Sequence, residues 1–456
     1  MAETDRSIRL VNVEPLVNSP RSKRTTRASN EHEHTEASVA RKIGTKYANQ
    51  IAYEHTRNRW LIYCNGIWSQ DETGHVLQLL LSECEALGDK RLERHARLRG
   101  IEEIAKSLPE LAITAARLDF DAYMLGTPDG PIDLRMGKRV EADPLHYITH
   151  SAACAPSDIA TPIWSQFLAD CTAGDASFVR FLQQYAGLCL TGDTSAQCLV
   201  FIYGRGRNGK GVFVRAISGV LGTYAHRAAV ETFTAGADRH PTEIASMQGK
   251  RLVYCSETER GRTWAEGRLK DVTGNDKLRA RFMRADDFEY QPAFKLIISG
   301  NYEPAIENCD EAMRGRFHVV PFDQVFSGQN ADRHLDDKLK AEWPGILQWC
   351  IAGALDWQAN GLVVPDKVRL ATAAYFDRQD SFNHWLETEC CRSPDLEDTT
   401  ARVFKSWATF AKENGENPGS QKSLAERLQR AGFTPSVTRR DGKGVRLWRG
   451  LKVLMQ

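Results

Sequence analysis

Residues 198–222 read CLVFIYGRGRNGKGVFVRAISGVLG: an apolar strand candidate, a glycine-rich loop, and an apolar helix candidate stopped by Gly222. A loop between strand and helix can turn its backbone N–H groups inward, where they meet phosphate oxygens at the helix N-terminus. The candidate nucleotide-binding residues are therefore Gly204, Gly206, Asn208, Gly209, Lys210, Gly211 and Val212, with Lys210 placed to neutralise the β- and γ-phosphates. Gly211 departs from the usual pattern, because a Ser or Thr hydroxyl normally coordinates Mg²⁺ at that position.

Working downstream, residues 251–259 (RLVYCSETE) form an apolar strand candidate ending in Glu257 and Glu259. If extended geometry persists, both carboxylates face one side of the sheet, so that one can hold Mg²⁺ and the other polarise an attacking water. Residues 294–301 (FKLIISGN) form another strand candidate, whose terminal Asn301 suits the orientation of that water. Residues 313–322 (MRGRFHVVPF) place Arg314 and Arg316 just before a further apolar strand. A guanidinium can stabilise transition-state charge on a phosphoryl group, often from a neighbouring subunit. The catalytic candidates are Lys210, Glu257, Glu259, Asn301 and Arg316. Strands and helices alternating between residues 198 and 325 predict an α/β fold with a parallel sheet.

The rest of the chain frames this core. Its 456 residues allow several domains, and a balance of 60 Lys and Arg against 59 Asp and Glu leaves any basic surface local. Eleven cysteines without a C-x-x-C pair read as reduced thiols. The chain has no long apolar run and no apolar core of a secretory signal near its start, which predicts a cytoplasmic protein without a membrane span. Residues 1–45 lack Phe, Trp and Tyr and carry Arg21, Lys23, Arg24 and Arg27, which predicts a disordered basic arm. Residues 46–155 read as a small α+β domain, and residues 156–365 as the ATPase domain, including a helical segment from Trp164 to Leu190. Residues 366–456 combine helical segments at 382–391, 402–414 and 423–430 with a basic hairpin at 438–449, the pattern of a winged helix. Arg439, Arg440 and Lys443 in that hairpin are candidate DNA contacts.

Five segments taken in order resemble the superfamily 3 DNA helicases, in particular the poxvirus and phage/plasmid primase-helicase family: GRGRNGKG at 204–211, RLVYCSETE at 251–259, KDVTGND at 270–276, FKLIISGN at 294–301 and RFHVVPF at 316–322. Residues 125–149 (LGTPDGPIDLRMGKRVEADPLHYIT) resemble the domain that precedes the ATPase in that family. The resemblance implies an AAA+-like ATPase using ATP and Mg²⁺, assembled as a ring, usually a hexamer, that translocates on single-stranded or forked DNA. It implies nucleotide bound between subunits, so that Arg316 acts on a neighbour's ATP. The family's DNA-contacting hairpin would fall between the third and fourth segments, making Lys270, Arg281 and Arg284 candidate phosphate contacts. No acidic constellation for nucleotide polymerisation precedes the ATPase, so priming is expected on a separate polypeptide, in the cytoplasm of a host cell if the chain is phage-encoded. Two other readings stand beside this one: a DNA-dependent ATPase that loads or switches without unwinding, and a non-catalytic origin-binding protein whose loop has decayed at Gly211.

Overall fold

The computed structural model describes residues 34–236, 241–256, 262–283, 286–306, 310–326, 332–379, 381–414, 418–440 and 443–454. The chain opens with α1 (Glu36–Tyr47), β1 (Ile51–Glu54), β2 (Arg59–Cys64), β3 (Ile67–Gln70), α2 (His75–Ala86), α3 (His95–Lys106) and β4 (Ala112–Ile113). The four strands form one sheet in the order β3-β2-β1-β4. Val39 and Ile43 of α1, Leu80 of α2 and Ile101 of α3 are buried together with Ile51 in a common core. The basic arm expected over residues 1–45 therefore stops short, and residues 1–33 lie outside those described. Val39, Ala40 and Ile43 form one buried face among polar neighbours, and α1 holds its place by packing on α3 rather than by its own apolar content.

Three short antiparallel strands follow, β5 (Met124–Leu125), β6 (Ile132–Asp133) and β7 (Lys138–Arg139), then α4 (Pro162–Thr172) and α5 (Ala176–Leu188). The helical segment expected from Trp164 to Leu190 is thus two helices, broken where Ala173 adopts a left-handed conformation at φ 55°.

The central body contains β8 (Leu199–Tyr203), α6 (Lys210–Leu221), β9 (Ala225–Arg227), α7 (Pro241–Ser246), β10 (Leu252–Ser256) and α8 (Glu266–Thr273). It continues with the hairpin β11 (Leu278–Arg281) and β12 (Asp287–Tyr290), then β13 (Lys295–Gly300), α9 (Glu311–Arg316), β14 (Phe317–Pro321), α10 (Leu335–Ala341), α11 (Trp343–Asn360) and α12 (Asp366–Gln379). Five strands form one sheet in the order β14-β8-β13-β10-β9, with every neighbouring pair parallel. Tyr203 sits beside Gly300 on one side and Pro321 on the other, so the ends of β8, β13 and β14 share one edge of the sheet. The chain order reverses at β8, and in an open parallel sheet a crevice for ligand forms beyond the strand ends at such a reversal.

Helices cover both faces of this sheet, as buried parallel strands require. α5 and α11 pack almost backbone to backbone: a Cβ on Gly187 would lie 2.1 Å from Ala354 N, and one on Gly353 would lie 2.0 Å from Gln183 O. Gly187→Ala is therefore expected to force the helices apart and cost about 2–3 kcal/mol, read as a lower urea midpoint at unchanged m-value. A midpoint equal to that of the parent chain would show that the two helices can separate freely.

α12 packs along β14, with Tyr375 stacked on Phe317 at 5.5 Å and its hydroxyl donating to Pro304 O at 2.5 Å. The expected boundary at residue 366 therefore differs from the observed one, because α12 belongs to the α/β body. The last module runs α13 (Ser381–Thr388), β15 (Cys390–Thr399), α14 (Thr400–Glu413), α15 (Gln421–Arg430), β16 (Thr434–Arg440) and β17 (Lys443–Val453). The helix expected over 382–391 ends at Thr388, since Cys390 and Cys391 already pair with Val453 and Lys452 across the sheet. The strand order is β15-β17-β16, and the core holds Trp385, Trp407, Leu428 and Trp448.

Candidate functional site

The loop between β8 and α6 turns through left-handed conformations at Gly206 (φ 101°), Arg207 (φ 51°) and Gly209 (φ 84°). Gly209 is required twice over, by that φ and because a Cβ there would lie 2.6 Å from Cys171 Sγ on α4. Gly204 is equally confined, since its Cβ would collide with the Asn208 side chain and with Phe322 O. Two contacts tie the loop to the segment after β14: Asn208 Nδ2 donates to Phe322 O at 2.7 Å, and Phe326 N donates to Arg207 O at 2.7 Å.

Lys210 is the first residue of α6 and only 7% exposed. Its Nζ donates to Gly204 O at 2.6 Å, Asn208 Oδ1 at 2.9 Å and Asn301 Oδ1 at 2.9 Å. All three acceptors are neutral, and burial pulls the ammonium down to about 8. A cation held by neutral oxygens beside the positive end of a helix favours the arrival of an anion.

A cavity of about 830 Å³ opens beside Gly209 and Val212, walled by Ile163 and Phe167 of α4 and by Leu335 of α10. That volume suits a nucleoside-sized ligand. Glu342, between α10 and α11, fixes the wall by accepting from Ile163 N at 3.0 Å and Trp164 N at 2.8 Å. It satisfies N–H groups that the first turn of α4 would otherwise leave unpaired.

The structure brings together Gly204, Asn208, Lys210 and Asn301, with Val212 on the cavity wall. Glu257 and Glu259 lie outside the described residues; Ser256, the last residue of β10, pairs with Ser299 next to the end of β13. Arg316 is not part of this cluster. It precedes Phe317, which pairs with Leu199 at the start of β8, and so sits at the opposite edge of the sheet, where its Nη2 donates to Gln197 Oε1 at 2.9 Å. Among the described residues there is no group of three or more His, Cys, Asp and Glu that could enclose a metal. Mg²⁺ beside a nucleotide rests largely on phosphate oxygens and water, so a small protein share is compatible with that ion.

Of the candidate nucleic-acid contacts, Lys270 is engaged with Asp310 at 2.5 Å. Arg279 pairs with Asp287 at 2.5 Å, whereas Arg281 reaches the same carboxylate only at 3.9 Å and remains largely exposed. Arg284 lies outside the described residues, next to Met283, which is 76% exposed beyond β11. Arg440 and Lys443 are register partners at the tip of the β16–β17 hairpin, and Arg439 pairs with Gly444. Three features escaped the sequence reading. The carbonyl of Phe322 anchors the loop, the Arg57 guanidinium lies 5.3 Å from the Phe282 ring, and Arg215 lies over Gly211. Each joins residues remote in sequence or one helical turn apart, and only the side-chain types were visible beforehand.

With this geometry in place, relatives can be compared. The model of the D5 N-terminal-like family matches residues 40–173, and that of a family of unknown function, DUF5906, matches residues 202–316. The chain is 27% identical over 292 residues to the "Putative helicase 022R" of frog virus 3, covering 58% of this chain and 30% of that protein. It is 26% identical over 162 residues to Primase D5 of fowlpox virus, covering 33% of this chain and 20% of that one. The chain thus spans less than a third of the length of these relatives. Two apo structures of the NrS-1 C-terminal region share its fold, with TM-scores of 0.52 and 0.54 at 12% and 11% identity, covering 92% of this chain and 100% of each.

Fold and strand-end cluster define a mixed α/β protein with a parallel sheet, similar in architecture to the NrS-1 C-terminal region. Residues 40–173 thus resemble the D5 N-terminal-like family, and the chain is similar over part of its length to viral proteins named as a putative helicase and as Primase D5. No helix among the described residues is long and apolar enough to cross a membrane.

Proposed function

We propose that this chain is an ATP-dependent DNA helicase with an AAA+-like P-loop core, acting as a ring that moves along single-stranded DNA in the replication of a phage or mobile element, within the host cytoplasm. The observation that carries the reading is the bonding of Lys210 to Gly204, Asn208 and Asn301 at the edge where the strand order reverses. In this reading Gly206, Gly209 and the first turn of α6 cradle the phosphates and the adjacent cavity takes the nucleoside. Asn301 then orients the attacking water. Glu257 and Glu259, which follow β10 in sequence, are assigned to Mg²⁺ and to activation of that water. Bound Mg²⁺ supplies neutralisation of charge on the phosphoryl group.

DNA engagement is assigned to Lys270, Arg281 and Arg284 around the β11–β12 hairpin, and to Arg439, Arg440 and Lys443 at the β16–β17 tip. The module order of helix, strand, two helices and a two-stranded hairpin supports a winged helix. A separate primase is a proposed partner.

The test is phosphate release with and without single-stranded DNA, unwinding of a forked duplex, and the mass of the particle in solution with nucleotide. DNA-stimulated hydrolysis, unwinding and a ring of subunits are expected. Stimulated hydrolysis without unwinding would replace the helicase with a loader or switch. Hydrolysis at background would leave a non-catalytic origin-binding protein.

A further inference from the structure

Gly211 is the one position where the loop lacks the group expected of it, and the structure places another group over the vacant site. A Cβ built on Gly211 would meet Arg215 Nη1 at 2.8 Å, with Arg215 Cζ at 3.7 Å and Nη2 at 3.9 Å. Those guanidinium atoms are its three nearest neighbours, the adjoining helix backbone aside. Residues four apart on a helix share a face, and long side chains on a helix run back towards its N-terminus. Arg215 therefore lays its guanidinium towards the phosphate end of α6, over the glycine that makes room for it. A side chain on Gly211 would displace it.

Asp336 on α10 fixes this placement. Its carboxylate accepts from Arg215 Nε at 3.2 Å and from Nη2 at 2.8 Å. Nη1 has no hydrogen-bond partner among the described residues, and it is the nitrogen closest to Gly211. The same helix α10 supplies Leu335 to the cavity wall and α6 supplies Val212, so the ion pair links the two sides of the cavity. An exposed ion pair of this kind adds little to stability by itself.

We propose that Arg215 is a second phosphate-binding cation of this site, its guanidinium reaching the β- and γ-phosphate oxygens from above Gly211, where other P-loops present a hydroxyl. The inference rests on the P-loop reading above. A guanidinium offers phosphate a planar pair of N–H donors and needs no metal to do so, whereas a hydroxyl acts through the metal that it coordinates. Asp336 is its positioning residue. The site then holds the triphosphate between two side-chain cations, Lys210 and Arg215, and depends less on Mg²⁺ for binding than a loop with a hydroxyl would.

The test is equilibrium binding of a fluorescent ATP analogue and of AMP to the full chain, in Mg²⁺ and in EDTA. Arg215→Ala should weaken triphosphate binding in EDTA at least about tenfold while leaving AMP binding and the melting temperature unchanged. Arg215→Lys should recover part of the loss, since it restores charge but not the planar fork. Gly211→Ser should reproduce the loss in EDTA by displacing the guanidinium, and should recover in Mg²⁺ through its new hydroxyl. Unchanged triphosphate binding by Arg215→Ala, alongside a loss in Lys210→Ala, would overturn the role of Arg215 and leave the P-loop standing. Unchanged binding in both variants would overturn the P-loop reading itself.

Discussion

Lys210→Ala is expected to lower ATP affinity by more than about 100-fold, because its ammonium, only 7% exposed, would meet phosphate in a charge-assisted contact. In the absence of ligand the Nζ makes three hydrogen bonds to neutral oxygens, from Gly204, Asn208 and Asn301. Alanine removes the charge and leaves Gly204 O and Asn208 Oδ1 without that donor inside the loop. The same lysine gives the binding a pH signature. Burial holds the free ammonium at about 8, below its ordinary value, and a bound phosphate favours the charged form. Binding therefore takes up a proton above pH 8, so ATP affinity should fall as pH rises through that value and should be flat below it. Titration calorimetry at pH 7 and pH 9 reads both effects; affinity independent of pH, or full affinity in Lys210→Ala, would remove Lys210 from the phosphate site.

Arg316→Ala should lower turnover about 1000-fold while sparing nucleotide binding, the size associated with arginine fingers in phosphoryl transfer. Geometry sets this expectation apart from that for Lys210. Phe317 lies beside Leu199 at the start of β8, and the loop begins after Tyr203 at its end. At the usual rise along a strand, Arg316 is roughly 15 Å or more from the β8–α6 loop of its own chain. Any action on ATP must then be on a neighbour's nucleotide. Mixing Arg316→Ala with Lys210→Ala should restore a fraction of the hydrolysis that neither variant has alone, because some mixed interfaces pair an intact loop with an intact arginine. Titrating one variant against the other checks this, and zero recovery at every ratio would exclude a site shared between subunits.

Much of this arrangement could be read directly from the chain, for reasons that differ from segment to segment. Residues 198–222 are legible because apolar runs, loop glycines and the stop at Gly222 are all local, and β8 and α6 fall where those signals put them. The apolar strands ending near Ser256 and Asn301, and the short approach of Arg316 to β14, are legible on the same grounds. α1 is less legible, since three buried residues on one face give a weak pattern until α3 covers it. α12 reads as part of a separate C-terminal module until Tyr375 is seen stacked on Phe317.

The sequence by itself determined the strand, loop and helix around Lys210 and the order of the strands that follow, because hydrophobic periodicity and glycine act over a few residues. Only the tertiary structure decided which side chains meet. Lys210 reaches Asn301 across 91 residues of chain, and Asn208 reaches Phe322 across 114. Arg316 is carried to the far edge of the sheet because β14 runs parallel to β8. Even the pairing of Arg215 with Gly211, one helical turn apart, takes its meaning from Asp336 on another helix. Contacts of that kind depend on how strands and helices are placed against one another, and local pattern carries no record of it.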